Sequence, residues 1–297
     1  MNPRRITAAL LAILVLIAAL ANAQPKKRIA VSRFEDGHGY HGCGIGVSDM
    51  LSTALVKTKK FMVIERKEID KVIEEQKLGL SGMVTAETAP AVGKLLGVDL
   101  LVVGSVSELG TSKRDIGGGL GVFGAGLSSQ QARAVVDIRL VNTTTGEILA
   151  AETEEGTEST LGFKGRYEDL HFDNVSDWND TDVGKAAREA IDKTVELITD
   201  NMDKVPWSGR IVKVNTDGSV VIKPGSEGNI TTGMELDVYQ TGEEIKDPDT
   251  GVSMGSEETK VAHIVVQSDM LNGKAAKAKV ASGSGIKAGD IVRQPKE

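Results

Sequence analysis

The sequence predicts two successive folds, an α/β domain and then a small all-β barrel, and three patterns predict them. Between Arg28 and Val103, short apolar runs alternate with amphipathic helical stretches. From Ser105 to Glu154, two strand-like segments flank a glycine-rich stretch, as in an extended β-hairpin. After Pro206, helical periodicity disappears and turn signals recur at short intervals.

The chain opens with an export signal. Arg4 and Arg5 precede an apolar run from Ile6 to Leu20, and Ala21-Asn22-Ala23 offers the small-x-small pattern of a cleavage site. Cleavage at about Ala23 makes residues 1–23 the signal peptide and Gln24 the mature N-terminus. The run is shorter than the roughly 20 residues a spanning helix needs, and no later stretch approaches that length. The expected location is the periplasm or the outer membrane.

The 297 residues are 40% hydrophobic and 26% charged, a balance that suits a folded protein with room for two domains. The net charge is −7, and losing the two arginines of the signal makes it more negative. Such a field repels phosphate and argues against nucleic acid as a partner. A single cysteine, Cys43, excludes an internal disulfide, and it lies too far from the signal to be a lipidated first residue.

In order, Arg28-Ile-Ala-Val-Ser-Arg-Phe34 reads as a strand that breaks at Glu35-Asp36-Gly37 into a glycine-rich loop. Val47, Met50, Leu51 and Leu55 recur at helical spacing, so Val47 to Lys57 is a helix. Phe61-Met-Val-Ile64 is a second strand, and helices are predicted over 65–78 and 87–96, the last stopped by Gly97. Leu100-Leu-Val-Val103 reads as a strand buried on both faces. Ala134, Val136, Ile138 and Leu140 share one face of the next strand, Asn142 to Gly146 is a turn, and Glu147 to Glu154 runs back. Ala187, Ile191, Val195 and Ile198 make a stripe on a helix from Val183 to Met202. Beyond Pro206 lie the runs Ile211 to Val214, Val220 to Ile222, Leu236 to Tyr239 and Val261 to Val266, a barrel of five to seven strands. The domains are therefore 24–206 and 207–297.

Four segments resemble the CsgG family of curli production assembly and transport components: Arg28 to Phe34, Phe61-Met-Val-Ile-Glu-Arg-Lys67, Gly97-Val-Asp-Leu-Leu-Val-Val-Gly-Ser105, and Asp137-Ile-Arg-Leu-Val-Asn-Thr-Thr-Thr-Gly-Glu147. Gly225-Ser-Glu-Gly228, Gly233-Met-Glu-Leu-Asp-Val-Tyr239 and Ile245-Lys-Asp-Pro-Asp-Thr-Gly251 are similar to the C-terminal domain of the flagellar assembly protein FlgT. The first resemblance implies an anticodon-binding-domain-like three-layer α/β domain with an extended β-hairpin. It also implies a ring of subunits, each giving two hairpins to an outer-membrane channel for unfolded curli-type subunits. The loop after the first strand narrows that pore, which matches Phe34, His38, Tyr40 and His41. The first hairpin tip matches Gly117, Gly119, Leu120, Val122, Phe123 and Gly126, which would meet the membrane or a neighbouring subunit. Expected partners are further copies of the chain, other envelope assembly proteins, or an unfolded exported subunit.

The second hairpin would come from Ala150 to Asp182, and its residues depart from the pattern. Glu152, Glu154 and Glu158 share one parity, while Thr153, Glu155, Thr157 and Ser159 hold the other, so neither face suits lipid. This leaves a second reading open, a periplasmic adaptor without a pore, working in envelope or flagellar assembly and binding partner proteins through its two domains.

His38, His41 and Cys43 have the residue types of a zinc site, but no second cysteine pair accompanies them; the plain reading is a polar loop with a structural thiol. Gly119-Leu-Gly-Val-Phe-Gly124 matches the dinucleotide fingerprint in form, yet a β-alternating segment follows where a helix is required. Asp247-Pro-Asp-Thr-Gly251, with Glu258 at the twelfth place, has its glycine too early for a calcium loop, and a proline-initiated turn explains it. No cofactor is expected. No nucleophile, base and acid order and no phosphate loop is present, so the sequence points to a protein that is not an enzyme.

Overall fold

The computed structural model describes residues 24–37, 42–65, 67, 97–116, 127–162, 181–246, 248 and 253–295. They fall into two compact units, Arg28–Val205 and Pro206–Glu297, the second also taking in the segment that ends at Lys27.

Among the described residues the first unit is a mixed sheet with two helices on one face. Its strands are β1 (Lys27–Val31), β2 (Glu35–Asp36), β3 (Phe61–Ile64), β4 (Leu100–Ile116), β5 (Leu127–Asn142) and β6 (Ile148–Gly162), in the order β3-β1-β4-β5-β6 with β2 also on β4. β1 and β2 run parallel to β4, whereas β4, β5 and β6 form an antiparallel meander. The two helices are α1 (Cys43–Thr58) and α2 (Asp182–Asn201). The predicted stripe Val47, Leu51 and Leu55 is fully buried under α1. α2 starts at Thr181, whose hydroxyl accepts the Gly184 N–H at 3.0 Å, and buries Val183, Ala187, Ala190, Ile191 and Ile198. These meet Ala134, Val136, Ile138 and Leu140 of β5, as the alternation predicts.

Two features differ from the expectation. α1 begins one turn before Val47, because Asp36 of β2 accepts hydrogen bonds from its first residues. β4 does not stop where its apolar run ends: it continues to Ile116 because nearly every residue past Gly104 has a partner on β5, with one irregularity between Val106 and Glu108. The predicted helices over 65–78 and 87–96 lie almost wholly outside the described residues.

The second unit is a closed antiparallel barrel of six strands: β7 (Gly209–Val214), β8 (Ser219–Lys223), β9 (Glu235–Lys246), β10 (Ser253–Met270), β11 (Ala275–Gly283) and β12 (Ile291–Arg293). The circuit runs β10-β11-β8-β7-β12-β9. Inward alternation places Val220 and Ile222, Leu236 and Val238, Ala262, Ile264 and Val266, and Ala276 and Ala278 in its core, capped by Trp207. The alanines of β11 fit the narrow interior of a barrel this small. Within this unit the segment leading to β1 is tied down, with Lys26 N–H on the Gly228 carbonyl at 2.9 Å and Asn229 Nδ2 on that of Gln24 at 3.2 Å. Among the described residues no helix is long and apolar enough to cross a membrane.

Candidate functional site

The candidate site is the region where the loop after β1, the root of the long β4–β5 hairpin and the edge strand β6 come together. Its first element is a carboxylate clamp. The N-cap residue of α1, Gly42, has a left-handed backbone and no side chain to cap with, so the first N–H groups of the helix need an acceptor from elsewhere. Asp36 supplies it from β2: Oδ2 accepts the Gly42 N–H at 2.9 Å, and Oδ1 accepts the Gly44 N–H at 2.6 Å and the Cys43 thiol at 3.3 Å. Burial opposes ionisation of Asp36, but these hydrogen bonds outweigh it and hold its carboxyl below the usual range. The clamp fixes the start of α1 at Cys43, and it closes the loop between Gly37 and Gly42 at its base.

Cys43 is fully buried, and burial together with the hydrogen bond and charge of Asp36 pushes its thiol up to about 12. It is a neutral donor to a carboxylate, whereas a zinc ligand has to be a thiolate. That environment does not fit the metal reading of the loop; His38 and His41 lie outside the described residues, as does Tyr40. A direct consequence is expected in labelling: native protein at pH 8 should react with a maleimide far more slowly than the urea-unfolded chain. Equal rates would show that Cys43 is open to solvent.

Phe34 is placed differently from the loop reading. Its side chain is 1% exposed and belongs to the α/β core, with its ring against Gly104, where an added Cβ would come within 3.1 Å of the ring. The exposed neighbours are Arg33 and Glu35. They border a groove of about 600 Å³ over the outward face of β4, β5 and β6, whose described lining includes Gly104, Ser105, Asp137, Arg139, Glu152 and Thr153. At its centre Asp137 accepts hydrogen bonds from the Ser107 hydroxyl and, at 2.6 Å, from that of Thr153. Hydrogen bonding from Ser107 and Thr153 keeps the Asp137 carboxyl below its ordinary value despite partial burial. The described lining carries both signs of charge, Arg33 and Arg139 beside Glu35, Asp137 and Glu152, which gives the groove a polar, mixed-charge surface.

β6 completes the region. On its outward face Arg133 of β5 bridges Glu108 of β4 and Glu155 of β6, with Nε to Glu155 Oε1 at 2.7 Å and Nη2 to Oε2 at 3.0 Å. On its other face β6 lies directly under α2. Gly156 sits so close that an added Cβ would clash with the Ala186 carbonyl and fall 2.7 Å from the Ala190 nitrogen. Around that contact Thr157 N–H donates to Glu189 at 2.8 Å, Lys193 Nζ to the Glu155 carbonyl at 2.6 Å, and Lys185 pairs with Glu158 at 3.3 Å. Burial, with the nearby charges of Glu152 and Glu196, raises the Glu154 carboxyl. The acidic strand that reads as unsuited to lipid is an edge strand on which Glu155 is met by Arg133 and Glu158 by Lys185 of α2.

The paired strands of the hairpin reach Ile116 and Leu127. The tip residues Gly117, Gly119, Leu120, Val122, Phe123 and Gly126 lie outside the described residues. Among the residues whose burial is described, the apolar core of the hairpin reaches Leu109 and Ala132, and next to them Thr111, Ser112 and Gln131 are exposed.

Asp36, Asp137, Arg133 and Gly156 are the residues of this region that the sequence does not single out. Asp137 carries a readable signal: it is the outward residue between Val136 and Ile138, in a strand whose other face is apolar.

The family model of the curli production assembly/transport component CsgG matches residues 11–222. The chain belongs to the CsgG family. Membership makes this CsgG-family protein an envelope assembly or secretion component, and the family is not one of enzymes. No curated protein matches the chain. Among solved structures, it is similar to the hypothetical protein CT253 from Chlamydia trachomatis, at 13% identity and a TM-score of 0.41, covering 59% of this chain and 97% of that one. Lipoprotein GNA1162 from Neisseria meningitidis follows at 14% and 0.36, covering 60% of this chain and 99% of that one. The C-terminal domain of LpoB from Escherichia coli is at 16% and 0.30, covering 44% and 82%.

Proposed function

We propose that this CsgG-family protein is a periplasmic assembly component that works at the outer membrane through protein contacts and does not use β6 to cross the bilayer. The observation that carries this is the seat of β6: Gly156 is pressed onto α2, and the glutamates on both sides of it are engaged by Lys185, Lys193 and Arg133. A bilayer-crossing strand needs about ten residues with apolar side chains at alternate positions, and a charge at the midplane costs roughly 2–4 kcal/mol. Lifting β6 into lipid would break these contacts and expose several carboxylates. The groove beside Asp137 and the loop closed by Asp36 then serve as contact surface for a partner or an exported chain. A three-layer α/β architecture is supported by Ala30, Leu101 and Val141, which point away from the helices and are nonetheless fully buried. Cleavage at about Ala23 rests on the small-x-small pattern Ala21-Asn22-Ala23 in the sequence. The FlgT-like reading of the barrel rests on its sequence.

A ring-shaped channel is the second reading, favoured by the length of β4 and β5, at 17 and 16 residues, and the glycine-rich sequence that joins them. Mature protein purified in mild detergent and added to a planar lipid bilayer distinguishes the two. We expect no stepwise conductance, and release of the protein from outer membranes by alkaline carbonate. Stable conductance steps that enlarge in Tyr40→Ala would establish a channel narrowed by the loop and overturn the proposal.

A further inference from the structure

Charge in the barrel is segregated by strand. All acidic residues of its strands lie on β9 and β10, whereas the adjacent β7, β8 and β11 carry Arg210, Lys213, Lys223, Lys277 and Lys279 and no acidic residue. The five cations share the outer face. Ile211, Val220, Ile222, Ala276 and Ala278 point into the core, and the register sets Arg210 beside Lys223 in one row, Lys213, Val221 and Lys277 in the next, and Lys279 one row further. Neighbouring strands lie about 4.8 Å apart and alternate residues about 6.8 Å, so this basic face covers roughly 10 by 14 Å.

Part of this charge is engaged locally. Lys277 is held to Asp217 at 3.3 Å, and Arg210 donates to the Gly289 carbonyl at 3.1 Å, which leaves its charge uncompensated. Lys213 and Lys279 are exposed, and among the described residues no ion pair neutralises them. Beside Lys213 the β7–β8 pairing is irregular, and there the side chains of Val212 and Val214 are 49% and 41% exposed. Cations spread over an open sheet face suit a surface of many negative charges rather than a single anion. Aliphatic side chains among them can enter the boundary between headgroups and acyl chains.

We infer that the β7–β8–β11 face of the barrel is a peripheral membrane-binding surface that lies against a bilayer bearing anionic phospholipid headgroups. The field that draws this face in repels β9 and β10 on the rest of the circuit, and so sets the orientation of the barrel. The described helices are not built to cross a bilayer, and Cys43, the single cysteine, is buried, so the basic face supplies an attachment that neither does. Such attachment is reversible, because it lasts only while salt leaves the charges unscreened. The inference deepens the proposed function and rests on its placing the protein at a membrane.

The test is flotation of the full mature chain with dye-loaded vesicles, one preparation of phosphatidylcholine alone and one enriched in phosphatidylglycerol. Wild type should float with the phosphatidylglycerol vesicles only, without dye release, and about 1 M salt, where the screening length falls to about 3 Å, should free it. K213E/K279E should weaken binding by about tenfold or more, and K213Q/K279Q, which removes charge without reversing it, should fall between. The second variant keeps the test valid if the reversal disturbs folding, which circular dichroism and melting report. K57E/K60E makes the same change in net charge at the exposed end of α1 and should bind as wild type does. No flotation, equal binding to both preparations, binding that persists in salt, or equal losses in K213E/K279E and K57E/K60E would overturn the inference. So would capture of an acidic protein by this face from a chain that leaves the vesicles unbound. Dye release would overturn the reading without a pore, whereas the paired variants decide the basic face in either case, so the two failures are distinguishable.

Discussion

Gly156→Ala is expected to lower the stability of the α/β unit by about 3 kcal/mol or more, the upper range for forcing one carbon into packed structure. The atoms it would strike are backbone, the Ala186 carbonyl and the Ala190 nitrogen, so no side chain can rotate out of the way. The helix has to lift from the sheet instead, separating Ala187, Ala190 and Ile191 from the apolar face of β5 and stretching the bonds from Thr157 and Lys193. Native domains are stable by only about 5–15 kcal/mol, so the loss is a large part of the whole. Gly110→Ala is the control: it makes the same chemical change in the same sheet, where nothing lies within 4 Å of the added carbon. Urea unfolding followed by circular dichroism should show a clear fall in midpoint for Gly156→Ala and almost none for Gly110→Ala. Equal midpoints would mean that α2 does not press on β6 as described, and would remove the main support for keeping β6 out of the bilayer.

Removing the clamp should have the next largest effect. Asp36→Ala leaves two N–H groups at the start of α1 and the Cys43 thiol without their acceptor, and a charged acceptor is worth about 1.5–3 kcal/mol per bond before non-additivity. A total near 3 kcal/mol is expected at pH 7, with Asp36→Asn intermediate because an amide keeps one acceptor oxygen. The pH dependence follows from the direction of the shift. The folded-state value of Asp36 lies below its unfolded value of about 3.9, so the unfolded chain takes up the proton first as pH falls. The stabilisation is therefore fully present above that value and is lost as pH drops through the folded one. The stability difference between wild type and Asp36→Ala, measured in urea at pH 7 and near pH 3, should shrink at the lower pH. A difference that stays constant would show that the charge of Asp36 contributes nothing.

Much of the architecture is legible in the amino-acid sequence. Alternation identifies the buried face of β5 because a strand shows every second residue to the core, and the helical stripes of α1 and α2 appear at the spacing that a 3.6-residue turn requires. Turn residues at short intervals mark the barrel, and the parity of Glu152, Glu154 and Glu158 marks a strand unfit for lipid. The site is less legible. Phe34 ends the first apolar run and is assigned to the pore loop only through the resemblance, yet beside β2, which pairs in parallel with β4, its ring is buried in the core. The capping role of Asp36 is hidden because its partners lie six to eight residues on, beyond the spacing of a local cap.

Local pattern alone determined which segments are strands and helices, which of their faces are apolar and where the chain turns, since each follows from periodicity within a window of about twenty residues. Contacts between residues far apart in the chain had to be decided by the folded chain. Gly156 is an unremarkable glycine in an acidic stretch until α2 crosses it some thirty residues later, and Lys213 and Lys279 form one face only because β7 and β11 flank β8. The reason is physical: backbone close approach and cross-strand register depend on which elements pack together, and periodicity carries no information about partners.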